Sequence, residues 1–147
     1  MKHISRTLIL VSILVIAALQ LTACSETKSQ AAGDEAPATV EPIKGTNRSS
    51  VKLSAQAANR LGIKTAAVRR GASGEKVIPY DAVLYNAGGR TFTYTSPERL
   101  VFVRQSISVK RIDGDTAILS AGPATGTKVV TVGSQELYGS EYEVEED

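Results

Sequence analysis

Histidine, methionine and cysteine are almost missing from this 147-residue chain, which has one of each: His3, Met1 and Cys24. Beyond Cys24 there is no imidazole, thioether or thiol. Soft and borderline ions such as copper and zinc choose those ligands, so the downstream chain has no donor set for a copper, silver or zinc site. A Ser-His-Asp or Cys-His nucleophile is excluded there for the same reason. Lysine- or carboxylate-based catalysis is not excluded, but no paired motif suggests it, and no cofactor or enzymatic activity is expected. A single cysteine forms no intrachain disulfide, so a small domain must rely on its apolar core. Neither a Gly-rich phosphate loop nor an internal repeat is present; Gly88-Gly89 fits turn chemistry better.

What is present begins with Lys2 and Arg6, followed by an apolar run from Leu8 to Leu19 and then small residues. A basic n-region, a short apolar h-region and small residues before a cut describe a secretory signal. The run has about a dozen residues, short of the ~20 that span a bilayer. The stretch Leu21-Thr22-Ala23-Cys24 resembles the lipobox of bacterial lipoproteins. That resemblance implies removal of residues 1–23 and a diacylglyceryl thioether on Cys24, which would then have no free thiolate. Acyl chains hold firmly, since each buried methylene contributes about 0.8 kcal/mol. The expected location is the extracytoplasmic face of a cell membrane, lipid-anchored, periplasmic or cell-surface. In Gram-negative lipoproteins an Asp after the lipidated Cys generally retains the protein at the inner membrane; here that residue is Ser25. The resemblance therefore implies either outer-membrane sorting or a cell with one membrane, and the second is the expectation.

Charge is better counted after the signal is gone. The chain has 17 Lys and Arg against 15 Asp and Glu; losing Lys2 and Arg6 leaves 15 of each sign. Net zero charge argues against a nucleic-acid partner. The distribution is uneven, however: Val51 to Ser140 holds 12 basic and 6 acidic residues, and Glu141 to Asp147 carries five acids and no base. Such a run is usually a solvated, mobile end, so 140–147 is expected to be an acidic tail, with folding back onto the basic domain as the alternative.

Residues 24–50 are rich in Ala, Glu, Lys, Ser, Thr and Pro, with Val40 and Ile43 as the few large apolar residues. That composition reads as a disordered tether. A 26-residue flexible coil reaches about 28 Å r.m.s., which would keep a following domain near the membrane surface. The domain itself is expected over 51–139. Val51-Lys52-Leu53 suits a short strand. Ser54 fits an N-cap, Ala55 to Leu61 two helical turns, and Gly62 their stop.

Beyond Ile63–Arg70 and the loop at Ala72-Ser73-Gly74 the pattern is all-β. Lys76-Val77-Ile78-Pro79 reads as an edge-like strand, because Pro79 cannot donate to a ladder. Ala82–Tyr85 and Thr91–Thr95 flank a turn at Asn86-Ala87-Gly88-Gly89-Arg90, with Phe92 and Tyr94 on one face of the second strand. Leu100–Val103 and Ser106–Ile112 form a long strand or a bent pair. Asp113-Gly114-Asp115 is a hairpin turn rather than half a calcium loop, since the other oxygen ligands are missing. Lys128–Val132 is an apolar strand, and Ser134–Tyr138 is short for a helix. Short strands separated by Gly or Pro predict a mainly β fold, a small barrel or roll with one short helix.

The segment Val77-Ile78-Pro79-Tyr80-Asp81-Ala82-Val83-Leu84 resembles the "V-P-x-x-A-V" entry strand of periplasmic adaptor proteins, also called membrane fusion proteins. These serve tripartite efflux pumps, mainly of the resistance-nodulation-division class. The likeness continues through Gly89-Arg90-Thr91-Phe92-Thr93-Tyr94 and through Ile118 to Gly133, which resembles the family's "I-x-S-G-L-x-x-G-D-x-V-V-x-x-G" motif followed by a Leu, here Leu137. Pro123 stands where Leu is usual, and Thr127 replaces the acidic residue after Gly126. A full adaptor also has an α-helical hairpin, a lipoyl domain and a β-barrel. Only about a dozen residues separate Thr65 from Val77 here, with no room for the hairpin or lipoyl halves. The resemblance therefore implies the membrane-proximal β-domain alone, the part that contacts the transporter.

These readings converge on a membrane-tethered adaptor-like lipoprotein, a non-catalytic interaction module with an inner- or cytoplasmic-membrane transporter as partner. The candidate contacts are Arg99, Arg104, Lys110 and Arg111, which crowd two adjacent strands; for any single one of them the commoner role is a solvated charge that guards a sheet edge. The alternative is a cell-envelope lipoprotein that binds peptidoglycan, lipid or a small ligand without a pump.

Overall fold

A computed structural model describes residues 36–46 and 48–143. The expected signal peptide 1–23, the lipid-attachment site Cys24, the first part of the linker and residues 144–147 lie outside the described residues.

The fold is mainly β, with two helices and antiparallel sheets. The strands are β1 (Ala38–Pro42), β2 (Ser49–Leu53), β3 (Lys64–Ala67), β4 (Arg69–Arg70), β5 (Lys76–Pro79), β6 (Leu84–Tyr85), β7 (Thr91–Glu98), β8 (Val101–Ser106), β9 (Ser108–Asp113), β10 (Thr116–Ala121) and β11 (Lys128–Val132). Helix α1 spans Ala55–Leu61 and α2 spans Ser134–Glu143, with one 3-10 turn at Tyr80–Ala82. The first sheet runs β1-β2-β8-β7-β11-β3, with β6 also on β7; the second runs β4-β5-β10-β9.

Local chemistry sets α1. Ser54 Oγ accepts from the Ala57 N–H at 3.1 Å, and Gly62 ends the helix in the left-handed region at φ 61°, where only glycine avoids a Cβ clash. Both ends are as the sequence predicts. The hairpin at Asp113-Gly114-Asp115 also forms, joining β9 to β10.

Each sheet contributes to its own buried cluster. Val51, Leu53, Leu84, Phe92, Tyr94, Phe102, Val130 and Leu137 pack together in one. Val68, Ile78, Ala82, Val83, Ile107, Ala117, Leu119 and Val129 form the other. Adjacent residues of a strand point to opposite faces, and the chain uses this twice. Val83 and Leu84 feed different clusters, as do Val129 and Val130, both of which are 0% exposed. β11 is therefore a wall between two cores, with the adjacent apolar pair Val129-Val130 covering one core each.

Four expectations are corrected. The fold has two helices where one short helix is expected, because Ser134–Tyr138 is the start of a ten-residue helix. The stretch 24–50 is not uniformly a tether. Ala38–Pro42 pairs along its whole length with β2, and Ala38 and Val40 pack against the first cluster. β5 is not an edge strand, since it lies between β4 and β10, with Pro79 at its last position where the missing N–H costs least. The boundary at 140 also does not exist. Helix α2 runs through it to Glu143, and Glu141 is 1% exposed rather than solvated.

Candidate interaction site

The four basic residues singled out by the sequence do not form one patch. Val101–Ser106 and Ser108–Asp113 are consecutive in the chain, but β8 and β9 belong to different sheets. Ile107 makes the switch between them; it is buried in the second cluster, and its N–H bonds to the Thr91 carbonyl at 3.1 Å. Arg104 therefore sits in the first sheet, and Lys110 and Arg111 sit in the second.

Lys110 and Arg111 lie on β9, the exposed edge of its sheet. Lys110 Nζ donates to Glu75 Oε1 at 3.0 Å, and Arg111 Nη1 to Asp113 Oδ2 at 2.9 Å. The Lys110 hydrogen bond holds the Glu75 carboxyl below its ordinary range. Exposed pairs of this kind contribute little to stability, so both cations can exchange partners cheaply. Ile112, nearly half exposed, completes the strip.

Arg99 stands in the two-residue turn between β7 and β8. Its neighbour Leu100 has φ 63°, a conformation that costs a non-glycine residue of order 1–3 kcal/mol. Leu100 is held there by packing its side chain against the first cluster and by its carbonyl, which accepts from the Leu53 N–H at 3.0 Å. Arg99 and Leu100 border an open groove of about 860 Å³, with Ala58, Ile63 and Lys128 on its other walls.

Arg104 is different in kind. Its Nη2 lies 3.2 Å from Glu141 Oε1, and its Nη1 donates to the Tyr142 hydroxyl at 3.2 Å. The guanidinium carbon is 5.7 Å from the ring centroids of both Phe92 and Tyr142, within the range of cation–π attraction. The other carboxylate oxygen, Oε2, accepts a short 2.5 Å bond from the Tyr94 hydroxyl. Oε1 lacks hydrogen-bond geometry to any donor among the described residues, so its attraction to Arg104 is mainly coulombic. Burial first, and then the Glu141 carboxylate, pushes the Tyr94 hydroxyl far above its ordinary range. Burial opposes the Arg104 charge, but Tyr142 and Glu141 outweigh it and leave the guanidinium more firmly protonated than usual.

Sequence reasoning found Arg104 but missed Glu141, Tyr94 and Tyr142, which make Arg104 a fastener for α2. The only signal was the uneven charge balance, and its fold-back alternative is the one the structure bears out at Glu141. Among the described residues no group of three or more acidic, His or Cys side chains is placed to hold a metal, and no helix is long and apolar enough to cross a membrane.

Comparison of the chain with family models, with curated proteins and with solved structures finds no match.

Proposed function

We propose that the chain is a lipid-anchored, non-catalytic interaction module: an adaptor-like lipoprotein that works beside an export or efflux transporter. The observation that supports this reading most is where the two adaptor-like motifs fall. Val77–Leu84 becomes β5, the 3-10 turn and the start of β6, and carries the chain from the second sheet to the first. Ile118–Gly133 becomes the end of β10, a loop and β11, and makes the same crossing again. The loop is tied down where it crosses: Val68 N–H bonds to the Thr127 carbonyl at 2.8 Å, and Gly126 N–H to the Val68 carbonyl at 2.9 Å. The motif residues thus carry the two-sheet architecture itself, as expected if a membrane-proximal adaptor domain is the ancestor of this one.

The partner-facing surface under this reading is the free edge of β9. An edge strand offers unpaired backbone groups, and here Lys110, Arg111 and Ile112 add charge and apolar area. The anchor is Cys24, on the lipobox resemblance. A photo-crosslinking residue placed at Lys110 in the full chain, irradiated in native membranes and read by mass spectrometry, tests the reading. Capture of a permease or transport ATPase is expected. Recovery of peptidoglycan or lipid alone sinks the transporter reading and leaves the cell-envelope binding alternative. Palmitate labelling that survives Cys24→Ala would remove the anchor.

A further inference from the structure

A second basic constellation lies away from β9. A cleft of about 490 Å³ is lined by Arg48, Asn86, Arg90, Phe92, Arg104 and Ser106, with no acidic side chain on its walls. Its three guanidiniums come from three separate segments: Arg48 precedes β2, Arg90 ends the β6–β7 turn, and Arg104 lies within β8. Only Arg104 has a carboxylate partner; neither Arg48 nor Arg90 is in an ion pair among the described residues.

Both free arginines stand on braced backbone. Asn86 Oδ1 accepts from the Arg90 N–H at 2.9 Å, and the Asn86 N–H donates to the Arg90 carbonyl at 3.1 Å. On the other wall the Ile43 N–H bonds to the Arg48 carbonyl at 2.9 Å, and the Arg48 N–H to Thr46 Oγ1 at 3.3 Å. The acceptor atom of Asn86 is thus used on the turn, which leaves its amide N–H groups as donors. Arg104 is fixed by Glu141, Tyr142 and the Phe92 ring. The cleft therefore combines three guanidiniums with neutral donors, set on backbone that is braced at Arg48 and Arg90, and no carboxylate on its walls. The planar fork of arginine matches the oxygens of a phosphate bidentately.

We propose that this cleft binds a phosphate group, with Arg48 and Arg90 as the main ligands, Asn86 and Ser106 as neutral donors, and Arg104 as a prepositioned third charge. The site goes beyond the transporter reading and does not depend on it. The phosphate belongs either to a free anion or to the headgroup of an anionic lipid, which a domain tethered to a membrane surface would meet.

The test uses the full chain in micelles of an uncharged maltoside detergent, with ionic strength held constant by sodium chloride. Backbone amide and arginine Nε–H resonances are followed during titration with inorganic phosphate, and separately with short-chain phosphatidylglycerol. Saturable shifts at Arg48, Arg90 and Ser106 in the millimolar range are expected. Arg48→Gln or Arg90→Gln should each weaken binding about tenfold, the loss of one charge-assisted contact, with an unchanged melting temperature. Arg99→Gln, on the far turn, should bind as the wild type does. Saturation by phosphate assigns a free anion, and saturation by the lipid alone assigns a headgroup. Shifts that never saturate with either probe, or equal affinity in the Arg48 and Arg90 variants, would overturn the proposal.

Discussion

The Tyr94 hydroxyl and the Glu141 carboxylate meet at 2.5 Å although 47 positions separate them, and the contact is fully buried. It fastens the last turn of α2 onto β7 where the Tyr138 ring lies between two others, tilted against Phe92 at 5.1 Å and edge-to-face with Tyr142 at 4.9 Å. Two consequences can be measured.

The first is a pH dependence on the alkaline side. The folded protein holds Tyr94 protonated well above the range in which an unfolded tyrosine ionises, about pH 10. A group whose pKa is raised on folding contributes its full stability below the unfolded value and loses it as pH climbs toward the folded one. Unfolding free energy should therefore fall by up to about 1.4 kcal/mol per pH unit above roughly pH 10 on account of this residue. Urea unfolding of the wild type and of Tyr94→Phe across that range checks it, and the phenylalanine variant should show the shallower slope. Parallel slopes would mean that Tyr94 titrates normally.

The same contact predicts the cost of losing the carboxylate. Glu141→Ala leaves the Tyr94 hydroxyl without its acceptor and Arg104, less than a third exposed, without its counter-charge. A loss of about 2–4 kcal/mol is expected, because orphaned buried donors are expensive. Glu141→Gln keeps an acceptor for Tyr94 and should recover part of that loss in the same denaturation measurement.

Gly133 joins β11 to α2 at φ 84°, and a Cβ there would come within 2.3 Å of Ile63 Cδ1. The backbone therefore disfavours a side chain, and the tip of Ile63 would have to swing aside to admit one. Gly133→Ala should destabilise by about 2 kcal/mol or more. Gly89→Ala, at φ 73° in open space, should lose only the conformational part. Melting temperatures of the two variants separate the effects, and equal losses would show that the Ile63 contact relaxes freely.

Thr93 is wholly buried on β7, and its hydroxyl finds no partner among the described residues. An unpaired buried hydroxyl costs about 1–3 kcal/mol, and valine has nearly the same shape. Thr93→Val should raise the unfolding midpoint in urea; a lower midpoint would mean that the hydroxyl does find a partner, such as a bound water.

Elements with local causes were legible in the sequence. Helix α1 announces itself by Ser54 and Gly62, and the β9–β10 hairpin by Asp113-Gly114. Those with distant causes were not. β1 contains only two residues that pack on the core, Ala38 and Val40, and it is ordered by a partner strand rather than by its own composition. α2 contains Gly139 and ends among acids, which oppose the negative end of the helix dipole. Its continuation to Glu143 depends on Arg104 and Tyr94, which no local window contains. The charge of Arg104 was visible, but the sheet switch at Ile107 that parts it from Lys110 was not, because Ser106-Ile107-Ser108-Val109 keeps a period-two alternation running across the bend.

The wall strand β11 carries a further consequence. Its two central residues are both valine, so their identity cannot tell the strand which face belongs to which core, and a slip by one position would still bury a valine. The neighbours break this ambiguity unequally. A slip one way would push Lys128, exposed in the native pairing, into the second core. A slip the other way would bury only the Thr131 hydroxyl, a much smaller penalty. On that side the guard is Gly133, whose φ of 84° suits glycine and disfavours the Ser134 that would move up into its place.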